Sequence, residues 1–242
     1  MGRKLVIGDI HGARRALEQI FERAAVTTND KLIFLGDYVD GWSQSPEVLD
    51  FLIEIQPVYN CIFIRGNHDD LLFNWLKTNE HNEQWQQHGG ELTMSRYATI
   101  HGSRREAHQE FLEKLEDYYL DDKNRLFVHA GFTSQHGVDR EYFDRMFYWD
   151  RTLWETALAL DEKLGREDDL YPKRFNQYHE IFIGHTPVTR IGETIPVNKA
   201  NIWNADTGAA FKGPLTVMDA DTKEYWQSEP VYKLYPEESG RN

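Results

Sequence analysis

Short apolar runs, each ending in polar residues, recur along the chain. Leu5-Val6-Ile7 runs into Gly8-Asp9, Leu32 to Leu35 into Gly36-Asp37, and Val58 to Ile64 into Arg65-Gly66-Asn67-His68. Runs of this length predict buried strands. Between the first two, Leu17, Ile20, Phe21 and Ala24 recur at helical spacing and predict a helix over 13–25. Ser45-Pro46 reads as an N-cap followed by proline at the first helical position, so a second helix is predicted through Ile55, stopped by Pro57. Strand, helix, strand, helix, strand implies right-handed crossovers and a largely parallel sheet.

Residues 71–122 are polar and helical in pattern, with a break at Gly89-Gly90. Strands resume at 125–128 and 180–183, and after Asn198 short strands alternate with Gly and Pro, as at 215–218. The segment from Pro236 is charged and is expected to fray. With no internal repeat and no low-complexity linker, the economical organisation is one α/β domain over 1–242 carrying 71–122 as a helical insert.

Composition narrows the classes. The 242 residues are enough for a substantial core. A formal charge of −13 argues against a dedicated nucleic-acid binder. It leaves room for a phosphate-handling enzyme, because bound divalent ions reverse the local field. The one cysteine, Cys61, lies in an apolar run and reads as a small buried hydrophobe, so nothing points to an oxidising compartment. The apolar stretch near Met1 is too short for a signal peptide, and no segment approaches membrane-spanning length. Met1-Gly2 resembles the start of a myristoylation signal, but Val6 stands where Ser or Thr is needed. A cytoplasmic protein with no membrane partner is expected.

The polar residues at the strand ends carry the candidate chemistry: Asp9 and His11, Asp37 and Asp40, Asn67 and His68, His129, and His185. One such cluster is equally well a capped strand end. Five of them, at the strand ends where α/β sheets bind ligands, call for ion pairing or a cation. Carboxylates and imidazoles with one amide oxygen suit manganese, iron or zinc better than calcium. A carboxylate can bridge two ions about 3.5–4 Å apart, and Asp37 is the central candidate for that bridge.

The blocks GDIHG, GDYVD…S, RGNHD, VHAG and GHTP resemble the calcineurin-type metallophosphoesterases. More narrowly, they are similar to the branch holding Ser/Thr phosphoprotein phosphatases and symmetrical dinucleoside tetraphosphatases. WQQHGGELTMSRYA, YWDR and DTGAAFKGPLT extend the likeness over nearly the whole chain, in the expected order. The resemblance implies a four-layer α/β/β/α metallophosphoesterase sandwich with a helical cap. It also implies two divalent metal ions, manganese first, with iron or zinc as alternatives. Asp9, His11 and His185 would hold one ion, Asn67 and His129 the other, with Asp37 between. His68 would be the general acid and Asp40 the carboxylate that orients it. A metal-bridging hydroxide would attack phosphorus while His68 protonates the departing oxygen.

One departure stands out. The family pattern GDxVDRG has an arginine where this chain has Gly41, followed by Trp42. Arg65 and Arg151 match two further family arginines and are the expected oxyanion clamps. Packing is the simpler reading of Trp42, and core or lid packing that of Trp75 and Trp85. Asp206 reads as structural, Asp69 and Asp70 as helix-capping, Arg104 and Arg105 as a charged helix face, and the six other histidines as solvated.

The expected activity is hydrolysis of phosphate monoesters, as in Ser/Thr protein phosphatases, with phosphorylated proteins or small phosphate esters as substrates. The alternative is phosphoanhydride hydrolysis of dinucleoside polyphosphates. A short, open insert would favour the first and a walled pocket with aromatics the second. A non-catalytic binding protein is disfavoured by the intact His68 and ligand set, and a diesterase by Asp40 and the Ser45 block.

Overall fold

The computed structural model describes residues 2–241. Among these residues ten strands form two five-stranded sheets. The first has the order β10-β9-β1-β2-β3, from Lys4–Ile7 (β1), Lys31–Phe34 (β2), Asn60–Phe63 (β3), Thr216–Asp219 (β9) and Tyr225–Gln227 (β10). The second has the order β4-β5-β6-β8-β7, from Tyr118–Leu120 (β4), Arg125–Val128 (β5), Glu180–Ile183 (β6), Val197–Lys199 (β7) and Ile202–Asn204 (β8). Strands β1-β2-β3 and β5-β6-β8 run parallel, and the pairs β1–β9, β9–β10, β4–β5 and β7–β8 are antiparallel. The carboxyl ends of the central strands therefore line up at one side of each sheet.

Helices cover the outer faces. Arg14–Arg23 (α1), Ser45–Ile55 (α2) and Asn67–Thr78 (α3) pack on the first sheet with the insert helices Glu83–Trp85 (α4), Glu91–Tyr97 (α5) and Gly102–Glu113 (α6). Met146–Trp149 (α7) and Thr152–Ala159 (α8) cover the second sheet, and Val231–Leu234 (α9) returns to the first. Between the sheets lie Val6, Ile33, Ile64, Phe127, Phe182 and Met218, with Phe127 and Phe182 stacked at 4.9 Å. Alternation explains this layering: Leu5 and Ile7 face the helices while Val6 faces the other sheet. The result is the expected α/β/β/α sandwich. Among the described residues no helix is long and apolar enough to cross a membrane.

Three expectations are corrected. The stretch 71–122 is not helical to its end, because Tyr118–Leu120 pairs with β5 as an edge strand. The segment from Pro236 is docked rather than frayed: Glu238 accepts hydrogen bonds from the Ser43 amide (2.9 Å) and hydroxyl (2.6 Å). His108 is buried, not solvated, and bridges the Tyr97 hydroxyl (2.7 Å) and Asp50 (3.0 Å).

Candidate metal centre and recess

The loops after β1 and β2 are zipped together beyond the sheet. The His11 amide donates to the Asp37 carbonyl (2.9 Å) and the Gly12 amide to the Tyr38 carbonyl (2.8 Å). The Asp69 carboxylate ties in the loop after β3, accepting from the amides of Asp37, Tyr38 and Gly66 at 2.8–2.9 Å. Asp69 thus does more than cap a helix. At Gly66 an added Cβ would fall 2.1 Å from the Asp37 nitrogen, so only glycine permits this approach. His11, Asp37, Asp40 and His185 all hold positive φ, between 51° and 70°. Such backbone costs roughly 1–3 kcal/mol per residue and persists where surrounding structure over-determines it, commonly at functional sites.

This framework converges six buried donors. Asp37 Oδ2 lies 3.5 Å from His11 Nε2 and 3.5 Å from His129 Nε2, between the two rings. Asp9 Oδ2 is 3.9 Å from His11 Nε2. Asn67 Oδ1 is 3.3 Å from His129 Nε2 and 2.9 Å from His185 Nδ1. The Nδ1 atoms of His11 and His129 face the carbonyls of Val39 (3.1 Å) and Leu35 (2.8 Å). Those acceptors fix the tautomer and leave each Nε2 as a lone-pair donor, the usual arrangement of a metal-binding histidine. The His185 ring joins Asp37, Asn67 and His129 rather than His11, so it stands beside the donors expected for the other ion.

The donor set fits divalent metal. Asp9 Oδ1 and His185 Nε2 are buried with no hydrogen-bond partner among the described residues. Ligand atoms about 2.0–2.2 Å from one ion stand roughly 3–4 Å apart, which is the spacing seen around Asp37 Oδ2. Electrostatics agree. Burial opposes protonation of His129, yet Asp37 beside it holds its pKa up to about 10, so in the absence of an ion a proton occupies the place a cation would take at Nε2. Burial pushes Asp9 well above the usual carboxylate range, with Asp206 adding to the effect. Burial, then Asp37, raises Asp69 to about 7, while burial raises Asp206 to about 6, with Asp37 adding to it. Several buried carboxyl groups around one point need cations to remain charged together.

Beside the donors, His68 Nδ1 lies 2.6 Å from Asp40 Oδ2, and the same oxygen accepts from the Trp85 indole N–H at 2.5 Å. Trp85 is therefore more than packing. It comes from the insert, and nothing in the local pattern around it signalled a tie to Asp40. With Nδ1 committed, His68 Nε2 is free to act on a ligand.

A recess of about 200 Å³ opens over Asn67 and His68, walled by Trp85, Trp149, Arg145, Arg151 and Arg241. Arg151 is there, as expected. Arg65 is not: it bonds Asp117 (3.2 Å) and the carbonyls of Leu115 (3.0 Å) and Leu112 (3.4 Å), tying β3 to the end of α6. Arg104 pairs with Asp50 at 2.5 Å, away from the site. Arg145 and Arg241 are the cations that motif matching missed.

Residues 2–211 match the family model described as calcineurin-like phosphoesterase. The chain belongs to that family. Among similar curated proteins, a bis(5'-nucleosyl)-tetraphosphatase PrpE [asymmetrical] of Oceanobacillus iheyensis is 26% identical, over 91% of this chain and 89% of its own. The protein of the same name from Geobacillus thermodenitrificans is 28% identical over 88% of each. A protein serine/threonine phosphatase from Saccharomyces cerevisiae superposes with a TM-score of 0.61 at 14% identity, covering 94% of this chain and 80% of its own. A metallophosphoesterase from Sphaerobacter thermophilus gives 0.56 at 17% identity, covering 97% and 94%. These likenesses show the calcineurin-like phosphoesterase fold. The family uses divalent metals, in keeping with the donors gathered here.

Proposed function

We propose that this phosphoesterase hydrolyses a phosphoanhydride bond of a dinucleoside polyphosphate. The observation that carries the reading is the recess over His68, which combines Arg145, Arg151 and Arg241 with Trp85 and Trp149. Three cations suit a phosphate chain, and the partly exposed Trp149 indole suits a base. Two larger recesses share Arg145 with it. One is bordered by Trp75, Trp85 and Tyr148, the other by Tyr142, Phe143 and Trp149. Such a row offers room for a nucleoside on either side of a central phosphate chain. The names of the PrpE relatives point the same way.

In this reading Asp9, His11, Asp37, Asn67, His129 and His185 hold two divalent ions, which supply Lewis acidity and an activated water when bound. Arg151 steadies the phosphoryl oxygens. His68 Nε2 gives its proton to the departing phosphate oxygen, and Asp40 accepts from Nδ1–H and stabilises the imidazolium. The chain is one domain, acts in the cytoplasm and uses manganese.

A second reading, the monoesterase of the Ser/Thr phosphatase type, is favoured by the Asp40–His68 pair. A firmly oriented acid matters most for a poor leaving group such as a serine alkoxide. A turnover panel of manganese-loaded protein separates the two, with diadenosine tetraphosphate, a phosphopeptide, an aryl monoester and an aryl diester. The anhydride should turn over fastest, into two unequal nucleotides, and the diester hardly at all. A phosphopeptide outrunning diadenosine tetraphosphate would reverse the order of the two readings. Preferred diester cleavage would end both.

A further inference from the structure

Gly41 stands where the family pattern has an arginine, and the space beside it is shared by His11 and a residue from the far end of the chain. A Cβ on Gly41 would lie 3.4 Å from Cγ of Arg241. The Arg241 side chain reaches into the recess that also holds His68 and Arg151. Its Nε is buried with no hydrogen-bond partner among the described residues, and its side chain makes no ion pair there. The guanidinium lies over the Phe211 ring at 5.5 Å, and with Nε unpartnered beside a phosphoesterase centre it has donors to offer an anion. Among the described residues Arg151 likewise donates no side-chain hydrogen bond, and it shares the recess with Arg241.

The segment that delivers Arg241 is anchored, not draped. Tyr235 stacks on Trp42 at 5.2 Å, and its hydroxyl meets Gln44 at 2.5 Å. Glu238 clasps Ser43 through both amide and hydroxyl. Gly240 runs so close over the Trp42 ring that a Cβ there would meet it at 2.7 Å. The Arg241 amide then bonds the Ala210 carbonyl at 2.9 Å. Trp42 is itself fixed by its indole N–H to the Ala209 carbonyl at 2.7 Å. Residues 42–44, directly after the glycine, are thus the docking platform for the segment that carries the arginine.

We infer that Arg241 is a phosphate-binding residue of this enzyme, supplied by the 235–241 segment in place of an arginine at position 41. It pairs with Arg151 to grip the phosphoryl oxygens, so substrate capture depends on the docked segment. The inference rests on the site being a phosphohydrolase centre, and holds for anhydride or monoester substrates alike.

The test is competitive inhibition by inorganic phosphate, read alongside kcat and KM, on the manganese-loaded full chain. Arg241→Ala should raise the phosphate inhibition constant and lower kcat/KM by about ten- to a hundredfold, the scale of a lost charge-assisted contact. Metal content and melting temperature should stay near wild type. Millimolar guanidinium should restore part of the loss in Arg241→Ala. Glu238→Gln, which loosens the segment while keeping the arginine, should raise the phosphate constant by a smaller factor. An unchanged phosphate constant in Arg241→Ala overturns the inference, and so does a loss that guanidinium leaves untouched. Wild-type protein that hydrolyses no phosphate substrate contradicts the underlying reading of the site instead.

Discussion

Replacing Asp40 by asparagine separates orientation from charge at the acid. Asp40 is fully buried, and its Oδ2 serves both His68 Nδ1 (2.6 Å) and Trp85 Nε1 (2.5 Å). An asparagine with its carbonyl oxygen in that place keeps both contacts but removes the negative charge. Hydrogen bonds to charged groups contribute about 1.5–3 kcal/mol against about 1 for neutral pairs. The imidazolium of His68 should therefore lose about 0.5–2 kcal/mol of stabilisation, about two- to thirtyfold in rate. The loss should fall where the departing oxygen needs a proton. A series of aryl and alkyl phosphates of decreasing leaving-group acidity measures this, with metal content recorded for each preparation. Asp40→Asn should match wild type on dinitrophenyl phosphate and diverge steadily toward alkyl phosphates. An equal loss across the series, with both ions retained, would remove Asp40 from the support of a proton donor.

Other outcomes follow from the same geometry. Trp85→Phe removes one donor from Asp40 while keeping its charge, so it should lower rates on poor leaving groups several-fold, less than Asp40→Asn; an unaltered rate would make the indole a packing group. Gly66→Ala forces a methyl against the Asp37 amide and should yield protein that no longer retains metal, read by elemental analysis after gel filtration. Chelation should lower stability by about 2.7 kcal/mol relative to protein held at metal a hundredfold above its dissociation constant, measured by denaturant titration. Asp121 joins Lys4 of the first sheet to Arg125 of the second, and those partners, outweighing its burial, hold its pKa down from 3.8 to about 2. A depressed carboxyl stabilises the fold above its unfolded pKa and loses that contribution as pH falls through about 2. Asp121→Asn should then cost at most about 2 kcal/mol at pH 7, less after solvent screening, and flatten the acid limb.

The strands were legible because each couples an apolar run to a polar end, and the candidate metal donors because they sit at those ends. Asp9, Asp37, Asn67 and His129 needed only local pattern to be found. What local pattern lacks is direction. Arg65 reads the same whether it faces the site or, as it does, the Leu112 and Leu115 carbonyls. The grouping of His185 depends on how β6 sits against β3 and β5 across two sheets, which no spacing encodes. Trp85 lies 45 residues from Asp40, and Arg241 reaches Gly41 from the other end of the sequence. A charged segment rich in Glu looks free in isolation. It docks here because Tyr235 finds the Trp42 face and Glu238 finds Ser43.

Two cations proposed to flank Asp37 underlie the whole site. Diffraction from crystals grown with manganese, collected on both sides of its absorption edge, should give two anomalous peaks flanking the Asp37 carboxylate, one beside His11 and one beside His129. A single peak away from Asp37, or none at saturating manganese, would contradict it.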